Sequence, residues 1–112
     1  MAVTPSLITV TVTTAGTRVQ VTSFTTIRPI AAYFEAVGSN TGQIYIGNSS
    51  VSSTSYYARL GIPSTTSSPS WSITGSSEGR VGATGIQLSS FYVDSSVNGD
   101  KVQVTYIYET GG

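Results

Sequence analysis

The sequence contains no cysteine and no histidine among its 112 residues. Their absence excludes disulfide bonds, thiolate nucleophiles, zinc sites built on these residues, and catalytic triads that rely on an imidazole. We therefore expect a chain that is not an enzyme and that uses no catalytic residues, no cofactor and no metal ion.

Charged residues are also scarce. They occupy 9% of the positions, against about 25% in an average soluble domain, and five basic residues balance five acidic ones. A net charge of zero removes the repulsion between copies, which suits a protein that packs against itself or against another protein. The cations are scattered singly along the chain, so no basic stripe is available for consecutive phosphates and we expect no nucleic-acid partner. They are Arg18, Arg28, Arg59, Arg80 and Lys101.

Long apolar runs are absent as well. The first six residues, MAVTPS, have neither a basic region nor an apolar core of signal-peptide length, and no run approaches the roughly 18 apolar residues of a membrane span. We expect no membrane partner and no signal peptide, and a protein that is made in a cytosol and kept there or packed into a particle assembled there.

The main positive signal is the alternation of apolar and polar residues in segments rich in Val, Ile, Thr and Tyr, which predicts β-strands. The short gap after the first segment predicts a hairpin, and Asn98-Gly99 predicts a second hairpin between the last two segments. The predicted strands cover 7–13, 18–23, 30–37, 43–48, 56–60, 71–74, 88–94 and 101–109. The residues expected to point inward are Ile8, Val10, Val12, Val19, Val21, Val102, Val104, Tyr106 and Tyr108.

The segment 30–37, IAAYFEAV, has apolar residues at both parities, so a helix is the alternative there. Eight residues between Pro29 and Gly38 are short for a helix, and a strand buried on both faces gives the same continuous apolar run. We therefore predict a central strand.

Eight short strands separated by Gly, Pro, Asn and Ser clusters predict an all-β fold, an antiparallel β-sandwich that is jelly-roll-like. An immunoglobulin-like sandwich of this size is the alternative, although the absent cysteines and the late Trp71 argue against it. We predict a single domain over residues 1–112 with a short N-terminal arm at 1–6. Pro5 is expected to block ladder pairing in this arm, and the arm is expected to dock on a neighbouring subunit. The alternative is that residues 1–6 are a frayed end.

Four segments together resemble small virion proteins of tailed bacteriophages: GTRVQV at 16–21, GSNTGQIYIG at 38–47, LSSFYVD at 88–94 and NGDKVQV at 98–104. These proteins include head decoration (cement) proteins with jelly-roll-like sandwiches that commonly sit as trimers at capsid symmetry points. The segment PSTTSSP at 63–69 departs from the pattern, because such proteins usually have a Pro-Gly turn there.

The resemblance implies a virion structural protein, with a head decoration protein as the first hypothesis. Such a protein would bind the major capsid protein or another virion protein on the capsid surface, would form a homo-oligomer with a trimer favoured, and would be made in the host cytoplasm. The alternatives are a component of the tail, baseplate or head-to-tail connector, and a glycan-binding adhesion module.

Four residues are candidates for the protein interface: Tyr56, Tyr57, Arg59 and Trp71. Tyrosine, tryptophan and arginine are enriched at interface hot spots, because large rigid rings and a forked cation bury much area. The alternative is that Trp71 belongs to the core and the tyrosines cover strand edges. Stacking of tyrosines on sugar rings would instead suit the glycan-binding hypothesis.

Two other pairs of charged residues are weaker candidates for a functional site. Glu78 and Arg80 lie among glycines, where a solvated loop pair is favoured over a salt bridge between subunits. Asp94 and Asp100 flank a Gly-containing loop, but two carboxylates fall short of the six to eight oxygens that Ca²⁺ prefers.

Overall fold

A computed structural model describes residues 2–24, 28–74 and 85–110. Every predicted strand has a counterpart, although the segment predicted over 88–94 begins with a 3₁₀ turn at Leu88–Ser90 and becomes a strand only at Tyr92. The strands are β1 (Ala2–Thr11), β2 (Val19–Gln20), β3 (Ala31–Ala36), β4 (Ile44–Gly47), β5 (Ala58–Leu60), β6 (Ser70–Thr74), β7 (Tyr92–Ser95) and β8 (Lys101–Thr110).

The strands form two four-stranded antiparallel sheets that pack into a β-sandwich. The first sheet, with strand order β1-β8-β3-β6, is called sheet A below, and the second, with order β2-β7-β4-β5, is called sheet B. The chain therefore pairs in a nested way, with β1 on β8, β2 on β7, β3 on β6 and β4 on β5. The predicted all-β fold, an antiparallel β-sandwich, is therefore confirmed.

Both predicted hairpins are wrong. The first would pair β1 with β2 and the second β7 with β8, but the two strands of each pair belong to different sheets. The Asn98-Gly99 turn leads from β7 in sheet B to β8 in sheet A, and its groups bond the loop after β1 instead. The side-chain oxygen of Asn98 accepts the N–H of Ala15 at 2.8 Å, and the N–H of Gly99 donates to the carbonyl of Val12 at 2.8 Å. Gly99 has a φ of +85°, the left-handed backbone conformation expected of a glycine in a tight turn. The turn therefore forms as predicted, but it does not join two paired strands.

Within the described part of the predicted arm, which excludes Met1, the backbone belongs to a strand. Residues 2–6 continue β1 and pair with residues 106–110, and Pro5 lies opposite Ile107 in the ladder. The prediction that Pro5 blocks pairing is therefore wrong. The physical reason is that β1 is an edge strand, where a residue without an N–H is tolerated if that position faces away from the neighbouring strand.

The core lies between the two sheets and contains one side of each strand. β3 is central in sheet A, between β8 and β6, as predicted. It is not buried on both faces, however, because Phe34 is fully buried while its neighbour Tyr33 is 42% exposed. The inward residues predicted for the first, second and last strands all lie in the core or pack against it: Ile8, Val10, Val12, Val19, Val21, Val102, Val104, Tyr106 and Tyr108.

Two loops that connect the sheets are held together by buried polar side chains. The carboxyl group of Asp100 accepts the N–H groups of Thr41 at 3.1 Å and Gly42 at 2.7 Å. The amide of Asn40 bonds both backbone groups of Lys101, donating at 2.6 Å to its carbonyl and accepting at 2.8 Å from its N–H. The β3–β4 connection is thus fixed to the start of β8.

We expect Asp100→Asn to lower the free energy of unfolding by about 2 kcal/mol, because an amide NH₂ would then face a backbone N–H and one charge-assisted bond would be lost. Urea titration followed by circular dichroism measures this. Thr41→Ala is the matched control, since it removes an exposed side chain and retains the N–H. Equal midpoints for the two variants would contradict a stabilising role for Asp100.

Candidate functional site

The structure separates the four predicted interface residues into two groups. Tyr56 and Arg59 lie on the outer face of sheet B, where both are next to Tyr45. Arg59 is paired with Tyr45 across β4 and β5, and the rings of Tyr45 and Tyr56 stack with centroids 5.6 Å apart. Tyr45 itself is 6% exposed. Tyr56 therefore covers a buried ring while remaining 40% exposed itself.

Tyr57 and Trp71 belong to the second group, which gathers around Phe91. Tyr57 meets Phe91 edge-on at 6.0 Å between centroids, and Trp71 is 6.3 Å from the same ring. Trp71 also lies 5.5 Å from Phe34 and is half-buried, so its position fits the alternative that it belongs to the core. Tyr57 is 58% exposed and is the outermost ring of this cluster.

A surface that the sequence analysis did not single out lies on the outer face of sheet A. Leu7 is 55% exposed. It lies in one row with Tyr33, because Thr105 of β8 pairs with Leu7 on one side and with Tyr33 on the other. In the next row, Ile107 stands between Pro5 and Ala31. We call these five apolar residues the apolar face: Pro5, Leu7, Ala31, Tyr33 and Ile107.

The apolar face contains a depression because Ala31 is small. Its methyl group lies between Ile107 and Thr74, with Tyr33 two residues along the strand, and a hollow of about 240 Å³ remains above it. Most exposed neighbours on the same sheet are Ser and Thr. Among the residues whose side chains are described, which excludes Glu109, the charged groups of this sheet face are Glu35 and Lys101, and both lie toward its other end.

Two signals in the sequence pointed to the apolar face. Leu7 has the same outward parity as Thr9, Thr11 and Thr13, so it is an apolar residue on a side of the strand that is otherwise lined by threonines. Ile107 has the parity opposite to the inward residues of the last strand. Neither signal shows that Leu7 lies two strands from Tyr33 and Ile107 one strand from it, because that neighbourhood depends on β1 pairing with β8 and β8 with β3.

The outer face of sheet B has a different character. A groove of about 400 Å³ is formed there by loop residues and by the ends of β4 and β7, and we call it the polar groove. Asp94, only 4% exposed, is one of its walls, and its Oδ1 accepts the N–H groups of Gly16 at 2.9 Å and Ser95 at 2.8 Å. The residues that line the groove are Ala15, Gly16, Tyr45, Ser52, Ser53, Asp94, Ser95 and Ser96.

The remaining charged candidates do not form a site in the described part of the chain. Asp94 and Asp100 bond the backbone of different loops, and the described residues contain no group of three Asp, Glu, His or Cys side chains that would hold a metal ion. Glu78 and Arg80 lie outside the described residues.

Comparison with protein-family models, with curated protein sequences and with solved structures found no match. Within residues 2–24, 28–74 and 85–110 there is no helix with the length and hydrophobicity needed to cross a bilayer.

We expect Phe91→Ala to lower the free energy of unfolding by about 2 kcal/mol, because it removes the half-buried ring that contacts Phe34, Trp71 and Tyr57. Trp71 is the one tryptophan of the sequence, so its fluorescence reports on this change directly. The emission maximum should move to longer wavelength in Phe91→Ala. In the control Tyr57→Ala, which removes an outer ring, it should move little, and equal shifts in the two variants would contradict the arrangement.

Proposed function

We propose that this chain is a virion structural protein that binds the protein shell of a bacteriophage head through the apolar face and stabilises the assembled shell. The observation that carries the proposal is the apolar cluster of exposed Leu7 and Tyr33 with half-buried Ile107, on a sheet face where most other exposed side chains are Ser and Thr. A contiguous exposed apolar patch of this kind marks a protein interaction site. The resemblance of four segments to head decoration proteins supports the identity of the particle.

The mechanism is thermodynamic linkage. A protein that binds the assembled shell and does not bind free shell subunits shifts the equilibrium toward the assembled state. Burying a leucine or isoleucine side chain contributes about 1.5–3 kcal/mol, so each of Leu7 and Ile107 is a substantial contributor relative to the hydroxyl-bearing residues around them.

The size of the whole outer face of sheet A, which includes the apolar face, supports a homotrimer. Four strands spaced about 4.8 Å apart, with a longest strand of ten residues, give a face of roughly 500 Å² in projection. A stable interface buries about 800 Å² on each partner. One copy therefore offers too little area for tight binding, whereas three linked copies at a position of threefold symmetry bind together and gain avidity.

The lack of net charge also fits a repeated subunit. Hundreds of copies on one shell lie close to one another, and a strong net charge on each would make them repel. With five basic and five acidic residues, the chain adds no such repulsion.

The first test is the copy number of the chain in purified particles, measured by quantitative mass spectrometry against the major capsid protein. We expect about one copy per capsid subunit, or one trimer per position of threefold symmetry. A few copies per particle would instead place the chain in the tail, baseplate or connector. Absence from particles would refute a virion role altogether.

The second test concerns the apolar face. We expect Leu7→Thr combined with Ile107→Thr to weaken binding to heads stripped of the chain at least tenfold, because two apolar contacts are lost. Threonine retains the β-propensity of the strands, so the fold should persist. Co-sedimentation with the stripped heads measures the binding.

Ile62→Thr is the matched control for that experiment, because Ile62 is 59% exposed, close to the 55% of Leu7, and follows β5 in the other sheet. The control should bind as the unmodified chain does. The native mass of all variants, expected at about three times 11.6 kDa, shows whether assembly is intact. Unchanged binding by the double variant would refute docking through the apolar face.

A further inference from the structure

We propose that the polar groove on the outer face of sheet B binds a neutral saccharide. The groove has a volume of about 400 Å³, within the 300–1,000 Å³ typical of small-molecule sites. It lies on the sheet opposite to the apolar face, so a chain docked through sheet A would present it outward.

The strongest support for this proposal is the environment of the Asp94 side chain. Its side chain is more than nine-tenths buried and nevertheless forms part of the groove wall. Oδ1 is fixed by the N–H groups of Gly16 and Ser95, whereas none of the described residues donates a hydrogen bond to Oδ2. No buried side-chain oxygen or nitrogen of the described residues lacks a partner, so Oδ2 keeps some contact with solvent, and we place that opening in the groove that Asp94 lines. One carboxyl oxygen is therefore held rigidly as a hydrogen-bond acceptor at the groove surface.

The surrounding groups favour a ligand rich in hydroxyls. Ser52, Ser53 and Ser96 line the same groove, and a serine hydroxyl both donates and accepts, so one that already bonds the protein has further capacity. Neighbouring hydroxyls of a sugar ring donate to a carboxyl oxygen and accept from such serines at the same time. Tyr45 also lines the groove, but its ring is almost fully buried and Tyr56 packs against it at 5.6 Å between centroids, so the polar groups of the groove carry the recognition.

Other ligand classes fit less well. A calcium ion prefers six to eight oxygen ligands, and the described residues bring no second carboxyl group to the groove. An anionic ligand would approach the open oxygen of Asp94 at the cost of like-charge repulsion. A neutral saccharide needs neither more carboxyl groups nor a counter-charge.

The test is a titration of the purified chain with five neutral trisaccharides: maltotriose, cellotriose, mannotriose, galactotriose and tri-N-acetylchitotriose. The readout is the ¹H–¹⁵N NMR shifts of the groove amides. We expect at least one sugar to bind with a dissociation constant of about 1 mM or tighter and to shift Gly16, Ser53 and Ser95. The measurement needs no particle, so it succeeds or fails separately from the proposed virion role.

Two variants locate the binding. Asp94→Asn retains an oxygen for the N–H groups of Gly16 and Ser95 and replaces the open oxygen with an NH₂ group, so the loop stays anchored and the acceptor is lost. Ser53→Leu fills the groove from an exposed turn position. We expect each to weaken binding tenfold or more. Ser49→Leu is the matched control, because Ser49 is exposed in the same loop and does not line the groove, and it should bind normally.

Several outcomes would overturn the proposal. They are the absence of shifts with all five sugars, shifts that persist unchanged in Asp94→Asn and Ser53→Leu, and a response of the groove to calcium chloride or to an oligolysine peptide without any response to sugar. The last outcome would assign Asp94 to a cation instead.

Discussion

The bonds that Asp100 and Asn40 make between two loops are the interactions on which the rest of the structure depends. Both side chains are buried, at 5% and 6% exposure, and both bond backbone groups of a distant loop. Burial without these partners would be costly, since an unsatisfied buried polar group loses about 1–3 kcal/mol. The loops also pack closely at Gly42, where a Cβ atom would lie 2.5 Å from the hydroxyl of Ser96 and 3.1 Å from Oδ2 of Asp100. The connection between β3 and β4 and the start of β8 are therefore held in one relative position.

The start of β8 therefore lies beside the β3–β4 connection. In sheet A, β8 runs between β1 and β3, and in sheet B, β7 pairs with β4. The sandwich then has one buried side on every strand and two outer faces that do not contact each other. One outer face carries the apolar face, and the other carries the polar groove with Asp94. A subunit that docks on one side and binds a ligand on the other needs such a division.

The sequence predicted the strands well and their neighbours poorly. Alternation placed Val102, Val104 and Tyr106 inward correctly, because the period of two depends only on the local backbone. The hairpin expected at Asn98-Gly99 was wrong, because turn residues fix the shape of a turn and not the sheet that receives the next strand. The four candidate interface residues were chosen from the sequence by their residue type alone. The structure places Tyr56 and Arg59 beside Tyr45, places Tyr57 and Trp71 around Phe91, and adds the apolar face, which the analysis of the sequence had not identified.

The amino-acid sequence by itself determined the β class of the fold, the inward side of the strands, and the exclusion of chemistry based on cysteine and histidine. Composition and alternation are local properties, and no knowledge of the partner strand is needed to read them. The tertiary structure alone decided that Leu7, Tyr33 and Ile107 share one surface and that Asp94 stands in a groove beside Tyr45. Those groupings join residues far apart in the chain, and they arise only when hydrogen bonds between strands and the packing of the two sheets select one pairing among many.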